Sequence, residues 1–215
     1  MRRISALTGV ITSLAVTAFA QQPLAPERVR GDVVSLTGNV LTVHTRGGPK
    51  VTLQLPDEAK VALADKADLA SIAEGTFVGT AAVAQPDGTL RALEVHLFPE
   101  AMRGTGEGHR PWDLKPGSSM TNATVVQVGG APSSMTNATV KKVSGAGERT
   151  LVLGYKDGEK TVVVPPGTPV VKLEPADRSA LTPGAHVFVI ATKGPDGKLT
   201  ATRLTVGKGS VVPPM

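Results

Sequence analysis

The chain has 215 residues, no cysteine, 23 Lys and Arg against 18 Asp and Glu, and a formal net charge of +5. The lack of cysteine excludes disulfides, thiolate metal ligands, covalently attached haem and cysteine nucleophiles. The basic residues are scattered among acids and aromatic residues make up only 3% of the chain, so the sequence predicts no nucleic-acid-binding surface.

The first 20 residues have the three-part pattern of a secretory signal peptide. Arg2 and Arg3 precede an apolar run from Ile4 to Phe19, and Ala18 and Ala20 are small residues of the kind that a signal peptidase reads. The run is short and contains serine, threonine and glycine, which argues against a membrane anchor. We therefore expect residues 1–20 to be removed, leaving a periplasmic chain of net charge +3 with no membrane span.

From residue 29 onward, apolar residues alternate with polar ones, and the gaps carry Gly, Pro, Asp and Asn. This pattern is typical of short strands joined by tight turns. The sequence predicts strands at Val29–Leu36, Val40–Thr45, Lys50–Leu55, Thr76–Ala84 and Thr89–Leu97. Residues 66–74 are rich in good helix formers and are followed by Gly75, so they are predicted to form the one short helix of this region.

The chain repeats itself at an offset of 109 residues. Without a gap, the segment Glu74–Val95 aligns with Pro183–Leu204, and each contains a Pro-Asp-Gly turn between two predicted strands. This is an internal duplication, with module 1 at residues 29–98, module 2 at 138–207 and a tail at 208–215.

Each repeat predicts three strands, a short helical segment and a hairpin, which is the order of a small OB-like barrel. A β-sandwich is the alternative. The predicted fold class is therefore all-β, with two tandem barrel-like modules, each with at most one short helix, joined by an irregular Gly-rich connector at residues 99–137. Modules of about seventy residues gain little net stability from their own cores, so we expect the two to pack together.

The sequence SSMTNATV occurs twice, at residues 118–125 and 133–140. The second copy runs directly into module 2 and is predicted to be the first strand of its barrel. The first copy is interpreted as a local duplication without a function of its own, and an extra edge strand is the alternative. Each copy contains Asn-Ala-Thr, which is a glycosylation acceptor only in a eukaryotic secretory pathway.

The connector contains most of the side chains suited to binding. Its candidate binding residues are Glu100, Met102, Arg103, Glu107, His109, Arg110, Trp112 and Asp113. The glycines at 104–108 do not open a helix that could hold a phosphate. We expect Phe98, Met102 and Trp112 to pack between the modules. We expect Arg103, Glu107, His109 and Asp113 to lie at the rim of that contact.

The sequence carries no recognisable catalytic motif. It has no Gly-x-Ser-x-Gly elbow and no histidine pair with metal-ligand spacing, so it predicts no enzyme, no catalytic residues and no cofactor. An enzyme of another kind stays open as an alternative. A copper-type site is another, because thioethers suit Cu(I). Its candidate donors are Met102, Met120, Met135, His96 and His109, of which three would have to converge.

Four segments carry a resemblance to a known group of proteins: FPEAMRGTGEGHRPWDL, MTNATV, VVVPPGTPVV and VVPPM. Over nearly the whole chain, the sequence resembles uncharacterised exported proteins of alphaproteobacteria with tandem modules of a bacterial β-barrel domain of unknown function. The resemblance implies β-barrel modules and brings no catalytic residues. Some members carry the label of a metal transporter permease, but a permease needs several membrane spans and this sequence has none after its signal.

Taken together, these patterns predict an exported periplasmic binding or structural module without catalysis. Its expected partner is a periplasmic protein or a small ligand.

Overall fold

The computed structural model describes residues 26–129 and 147–214, which form thirteen strands and three short 3₁₀ turns. The strands are β1 Glu27–Thr37, β2 Val40–Thr45, β3 Lys50–Gln54, β4 Lys60–Lys66, β5 Phe77–Ala84, β6 Leu90–Leu97, β7 Gly108–Pro111, β8 Ser118–Gly129, β9 Arg149–Tyr155, β10 Gly158–Val164, β11 Val170–Ala176, β12 His186–Lys193 and β13 Leu199–Gly207. The 3₁₀ turns are Leu69–Ser71, Glu100–Met102 and Arg178–Ala180. The predicted all-β fold class with small barrel-like modules is confirmed.

The five strands predicted in the first repeat are present as β1, β2, β3, β5 and β6, but the predicted helix at 66–74 is wrong. Only the three-residue turn Leu69–Ser71 forms there. The Asp68 side chain accepts a hydrogen bond from the backbone N–H of Ala70 and starts the turn, and Ile72 already has extended backbone angles. Ile72 is 1% exposed and packs in a barrel core, so the chain leaves the 3₁₀ conformation after Ser71.

The sequence also missed β4 and its counterpart β11. Ala62 and Ala64 give β4 a composition that disfavours a strand, because alanine has low β propensity. The strand forms because it lies between two neighbours, antiparallel to β11 and parallel to β13. Tertiary pairing therefore overrides local preference here.

Each of the two barrels takes strands from both repeats. In the first barrel β1, β2 and β3 form a meander, β12 pairs antiparallel with β1, and β13 pairs parallel with β3 to close a ring of five. In the second barrel β8, β9 and β10 are closed in the same way by β5 and β6. One barrel per repeat is therefore not the arrangement found. The physical reason is that β4 and β11 cross between the barrels and carry each following hairpin to the opposite one.

The crossing strands define a local two-fold relation between the repeats. In the antiparallel pair of β4 and β11, Ala64 lies opposite Leu173, and these two residues are equivalent at the 109-residue offset. The strands β6, β11, β4 and β13 form a continuous central sheet that joins the barrels. The seam, meaning the space between the barrels over this sheet, therefore occurs once per molecule.

The first copy of the repeated octapeptide is the beginning of β8, so its interpretation as a duplication without a role is wrong. β8 pairs with β5 as β1 pairs with β12, and each has a register shift where it pairs with the next strand. The connector at 99–137 is accordingly not irregular throughout, since it contains β7 and the whole of β8. The second copy lies outside the described residues. Because the two copies are identical, their sequences alone could not show that the first copy enters the barrel.

Three apolar clusters hold the fold together. The interior of the first barrel is built around residues such as Leu41, Leu53 and Leu204, and that of the second around residues such as Leu151 and Val162, all with 0% exposure. The third cluster fills the seam. Its buried members are Ala64, Ala81, Trp112, Met120, Val171, Leu173 and Phe188.

Candidate functional site

Trp112 anchors the connector in the seam. Its side chain is 9% exposed, and its ring lies 6.1 Å, between centroids, from that of Phe188 on β12. Phe98 and Met102 are partly buried against the same cluster. The expected packing of these three residues between the modules is confirmed, and burial of apolar surface at about 25 cal/mol per Å² makes the seam a third source of stability.

The backbone around Trp112 is fixed by β7 and a tight turn. β7 pairs with β8 so that His109 lies opposite Thr121, which brings the chain back along the second barrel. The N–H of Trp112 donates to the carbonyl of Ser118 at 2.8 Å, and Gly117 has a φ of 72° that favours glycine. Trp112 is thus positioned by a closed hairpin.

Asp113 ties this hairpin to β1. Arg30 donates two hydrogen bonds to its carboxylate at 3.1 and 2.8 Å, and Arg28 lies 3.9 Å away. The Arg28 guanidinium also stacks 4.1 Å above the Trp112 ring. Partial burial opposes ionisation of Asp113, but its hydrogen bonds with Arg30 and the charges of Arg30 and Arg28 outweigh that effect and hold its pKa below the usual value.

Two more candidates form an ion pair on the outside of the connector. Arg103 donates to Glu100 at 2.6 and 2.7 Å and to the carbonyl of Gly75 at 2.8 Å. The hydrogen bond between the two side chains lowers the pKa of Glu100 and raises that of Arg103. These contacts fasten the connector to the second barrel.

Glu107 and His109 also make structural contacts. Glu107 accepts a hydrogen bond from the N–H of Lys156 at 3.1 Å, and Nδ1 of His109 lies 2.8 Å from the Thr121 hydroxyl. Desolvation, followed by the positive charges of Lys160 and Arg110, lowers the pKa of His109. Of the eight candidates taken from the sequence, only Met102, Arg110 and Trp112 line the cavity described next.

A cavity of about 40 Å³, the inner cavity, lies in the seam beside Trp112. Its apolar lining is Ala62, Phe98, Met102, Trp112, Met120, Leu173, Phe188 and Ile190, and its polar lining is His96, Arg110, Asn122, Arg203 and Thr205. A space of this size exceeds the roughly 10–15 Å³ that one water requires. The inner cavity can therefore hold a small chemical group rather than a single water alone.

Sequence reasoning proposed His96 only as a copper donor and missed the polar residues Asn122, Arg203 and Thr205 as members of this site. His96 and Thr205 are equivalent at the 109-residue offset, as are Glu94 and Arg203. These pairs differ in chemistry while their apolar neighbours match. That mismatch within the repeat was the available signal, but their meeting across the seam depends on the strand exchange.

Three polar atoms of the lining residues are buried without a hydrogen-bond partner in the described chain: His96 Nε2, Trp112 Nε1 and Asn122 Oδ1. His96 is 1% exposed, and its Nε2 lies 3.3 Å from Glu94 Oε1 without the geometry of a hydrogen bond. Asn122 is half satisfied, because its Nδ2 donates to the Thr105 carbonyl while its Oδ1 lies against Gly79 and accepts no hydrogen bond. Buried polar groups in native proteins are normally satisfied, so His96, Trp112 and the Asn122 carbonyl offer unused hydrogen-bonding capacity in this region.

The lining is also positively charged. Arg110 uses its Nη1 to donate to the Gly106 carbonyl at 2.6 Å, and within the described ranges no ion pair joins Arg110 or Arg203 to a carboxylate. Desolvation, followed by the charges of Arg28 and Arg203, lowers the pKa of Arg110. None of the described acidic residues lines the cavity.

A second space of about 340 Å³, the outer cavity, shares three lining residues with the inner one: Ala62, Met102 and Arg203. It adds Lys60, which lies in register with Arg203 on neighbouring strands, and apolar residues such as Ala101 and Pro175. The two spaces therefore adjoin at Arg203, and again no acidic residue lines the outer one in the described part of the chain.

The fold and the inner cavity define a protein of two strand-exchanged barrels with an apolar and basic cavity at their seam. No protein-family model, curated protein or solved structure matches the chain. In residues 26–129 and 147–214, no helix is long and apolar enough to span a bilayer. The same residues contain no group of three or more His, Asp or Glu side chains placed to hold a metal ion.

Proposed function

We propose that this chain is an exported, non-catalytic binding protein that holds a small ligand in the inner cavity. One observation carries the proposal: a cavity built from both repeats is lined by His96, Trp112 and Asn122, each of which has one buried polar atom without a hydrogen-bond partner in the described chain. A ligand would supply those partners. The signal-peptide pattern and the resemblance to exported proteins support export to the periplasm.

Binding is favoured over catalysis by the surroundings of His96. Covalent catalysis needs a nucleophile within hydrogen-bond reach of a base. Among the described residues, no hydroxyl forms a hydrogen bond with His96, and its nearest ionisable partner is Glu94. The cavity therefore offers positioning groups without an assembled nucleophile and base.

Native mass spectrometry of protein purified from the periplasm tests the binding proposal. We expect the wild type to retain a small molecule and Ala62→Leu to lack it, because Ala62 lines the inner cavity of about 40 Å³ and a leucine there would occupy it. Val126→Leu is the matched control, since Val126 is 50% exposed and lies outside both cavities. A wild-type spectrum without any bound molecule would favour a purely structural module.

Intact-mass analysis of the exported protein tests its localisation. We expect the chain to begin at Gln21, following removal of residues 1–20. A periplasmic fraction without the protein, or an intact chain beginning at Met1, would contradict export by a cleaved signal.

A copper-type site is the second candidate, because three of its five proposed donors, His96, Met102 and Met120, line the same cavity. His109 instead contacts Thr121, and Met135 lies outside the described residues. The nearby arginine charges disfavour a bound cation. Competition with a colorimetric Cu(I) chelator decides: this candidate requires one equivalent to be taken up by the wild type and lost in Met120→Leu, which conserves volume.

A further inference from the structure

We infer that the ligand is a small organic anion whose carboxylate or phosphate group lies between Arg110 and Arg203, with its apolar part against Met102 and Trp112. This inference rests on the proposed function and names the class of ligand for the same cavity. The lining carries two positive charges, those of Arg110 and Arg203. The Arg203 side chain lines the cavity from a partly buried residue, and within the described residues its guanidinium makes no hydrogen bond and no ion pair.

Burial of an unpaired charge is unfavourable, and proteins usually pair such a group or bind a counter-ion to it. Arg110 has one hydrogen bond, to the carbonyl of Gly106, so most of its five donors are unused. The carboxylate of Asp113, which follows Trp112 in the chain, is already bound by Arg30 and lies 3.9 Å from Arg28. The site thus keeps two guanidinium groups available for an anion from outside the chain.

The comparison of the repeats supports the same conclusion. Glu94 is the equivalent of Arg203, but it is buried beside His96 and forms no ion pair with Arg203. The acid of one repeat therefore does not neutralise the base of the other. A bound anion would neutralise the arginine side of this pair.

The shapes of the two spaces set the size of the ligand. The inner cavity of about 40 Å³ has room for the head group only, while the adjoining outer cavity of about 340 Å³ is in the range of small-molecule sites. Guanidinium groups bind carboxylate and phosphate oxygens by paired hydrogen bonds. The Nε1–H of Trp112 can donate a further hydrogen bond, and the outer cavity can take an apolar body beside Met102.

Calorimetric titration of the mature wild-type protein tests this assignment with matched probes. The anions are acetate, butyrate, benzoate, inorganic phosphate and phenyl phosphate, and the neutral partners are acetamide, butyramide and benzamide. We expect at least one anion to bind about ten-fold or more tightly than any amide, as lost charge-assisted hydrogen bonds predict. The carboxylate and phosphate arms then identify the head group.

Arg203→Met and Arg110→Met should each weaken that binding by about ten-fold or more on the same physical grounds. Arg91→Met is the matched control, because Arg91 also loses one positive charge but lies 50% exposed on the outer face of β6. Circular dichroism checks that each variant is folded. If Arg203→Met does not fold, Arg203→Gln replaces it in the binding test.

Three results would overturn the inference: equal binding of an anion and its amide, binding by Arg203→Met that equals the wild type, or no binding of any anion. A neutral compound that occupies the cavity would remove the anion assignment and leave the proposed binding function intact. Absence of any retained molecule in native mass spectrometry would instead remove the binding function itself.

Discussion

The strands β6 and β13 are equivalent in the two repeats, and they match on one face and differ on the other. Inside the barrels, Leu90, Ala92 and Val95 correspond to Leu199, Ala201 and Leu204. Facing the seam, Glu94 and His96 correspond to Arg203 and Thr205.

This difference reflects what each environment requires. A barrel interior requires apolar side chains of suitable volume, and two barrels impose that requirement twice. The seam occurs once, so its two sides need not be alike. The acidic residue, Glu94, lies beside His96 on β6, whereas the basic residue, Arg203, lines the cavity from β13. The function that we propose therefore depends on the asymmetry of the seam and not on the symmetry of the barrels.

Trp112→Ala tests whether the seam supports both barrels. We expect it to lower the free energy of unfolding by about 3 kcal/mol or more, as for other buried aromatic truncations. Because each barrel contains strands of both repeats, we also expect a single transition, with both barrels unfolding together. Chemical denaturation followed by circular dichroism measures the midpoint.

The control is Val126→Ala, which removes an exposed apolar side chain and should change stability by less than about 0.5 kcal/mol. A midpoint unchanged by Trp112→Ala would show that Trp112 contributes ligand contact rather than structure. Two separate transitions would contradict coupling of the barrels through strand exchange.

The variants His96→Leu and Thr205→Val compare the stability contributions of the two equivalent positions. The first change leaves the Glu94 carboxyl buried without its neighbour, which should cost about 1–3 kcal/mol. The second replaces a buried threonine, for which the described residues show no side-chain hydrogen bond, by a residue of similar shape, and should cost less than about 1 kcal/mol. Urea denaturation of both variants gives the difference.

The double change Glu94→Leu with His96→Leu sharpens this test. Apolar replacement of a buried pair is often neutral, so the double variant should be more stable than His96→Leu alone. Equal costs for His96→Leu and Thr205→Val would mean that the two sides of the seam are energetically alike.

The sequence predicted the parts of this fold that depend on local pattern. The strand periodicity, the Pro-Asp-Gly turns and the 109-residue repeat gave the elements of each barrel, and Trp112 was correctly expected to be packed. These features follow from alternation and turn chemistry, which short stretches of sequence contain.

The exchange of strands and the inner cavity could not be predicted in the same way. β4 has the alanine-rich composition of a weak strand and forms through long-range pairing, so the path that carries each hairpin to the other barrel was not visible. The meeting of His96 with Arg203 and Thr205 depends on that path. Likewise, the candidate residues of the connector were chosen for their chemistry, and five of the eight proved to make structural contacts away from the inner cavity.

The smallest predicted effect on stability concerns the ion pair of Asp113 with Arg30, which joins the connector to β1. Asp113→Asn should lower stability at pH 7 by about 1 kcal/mol or less, because the carboxylate is 44% exposed and solvent screens the pair.

The pKa of Asp113 is lowered in the folded state, so its contribution is present above the unfolded value of about 3.9 and is lost as pH falls through the folded value. The difference between wild type and Asp113→Asn should therefore shrink below about pH 4. In an Arg30→Met background the same substitution should have a smaller effect, limited to the charge of Arg28, as a double-mutant cycle of denaturation midpoints would show. A constant difference from pH 7 to pH 3 would mean that Asp113 acts through the geometry of the turn after β7 and that its charge is not what fastens the connector to β1.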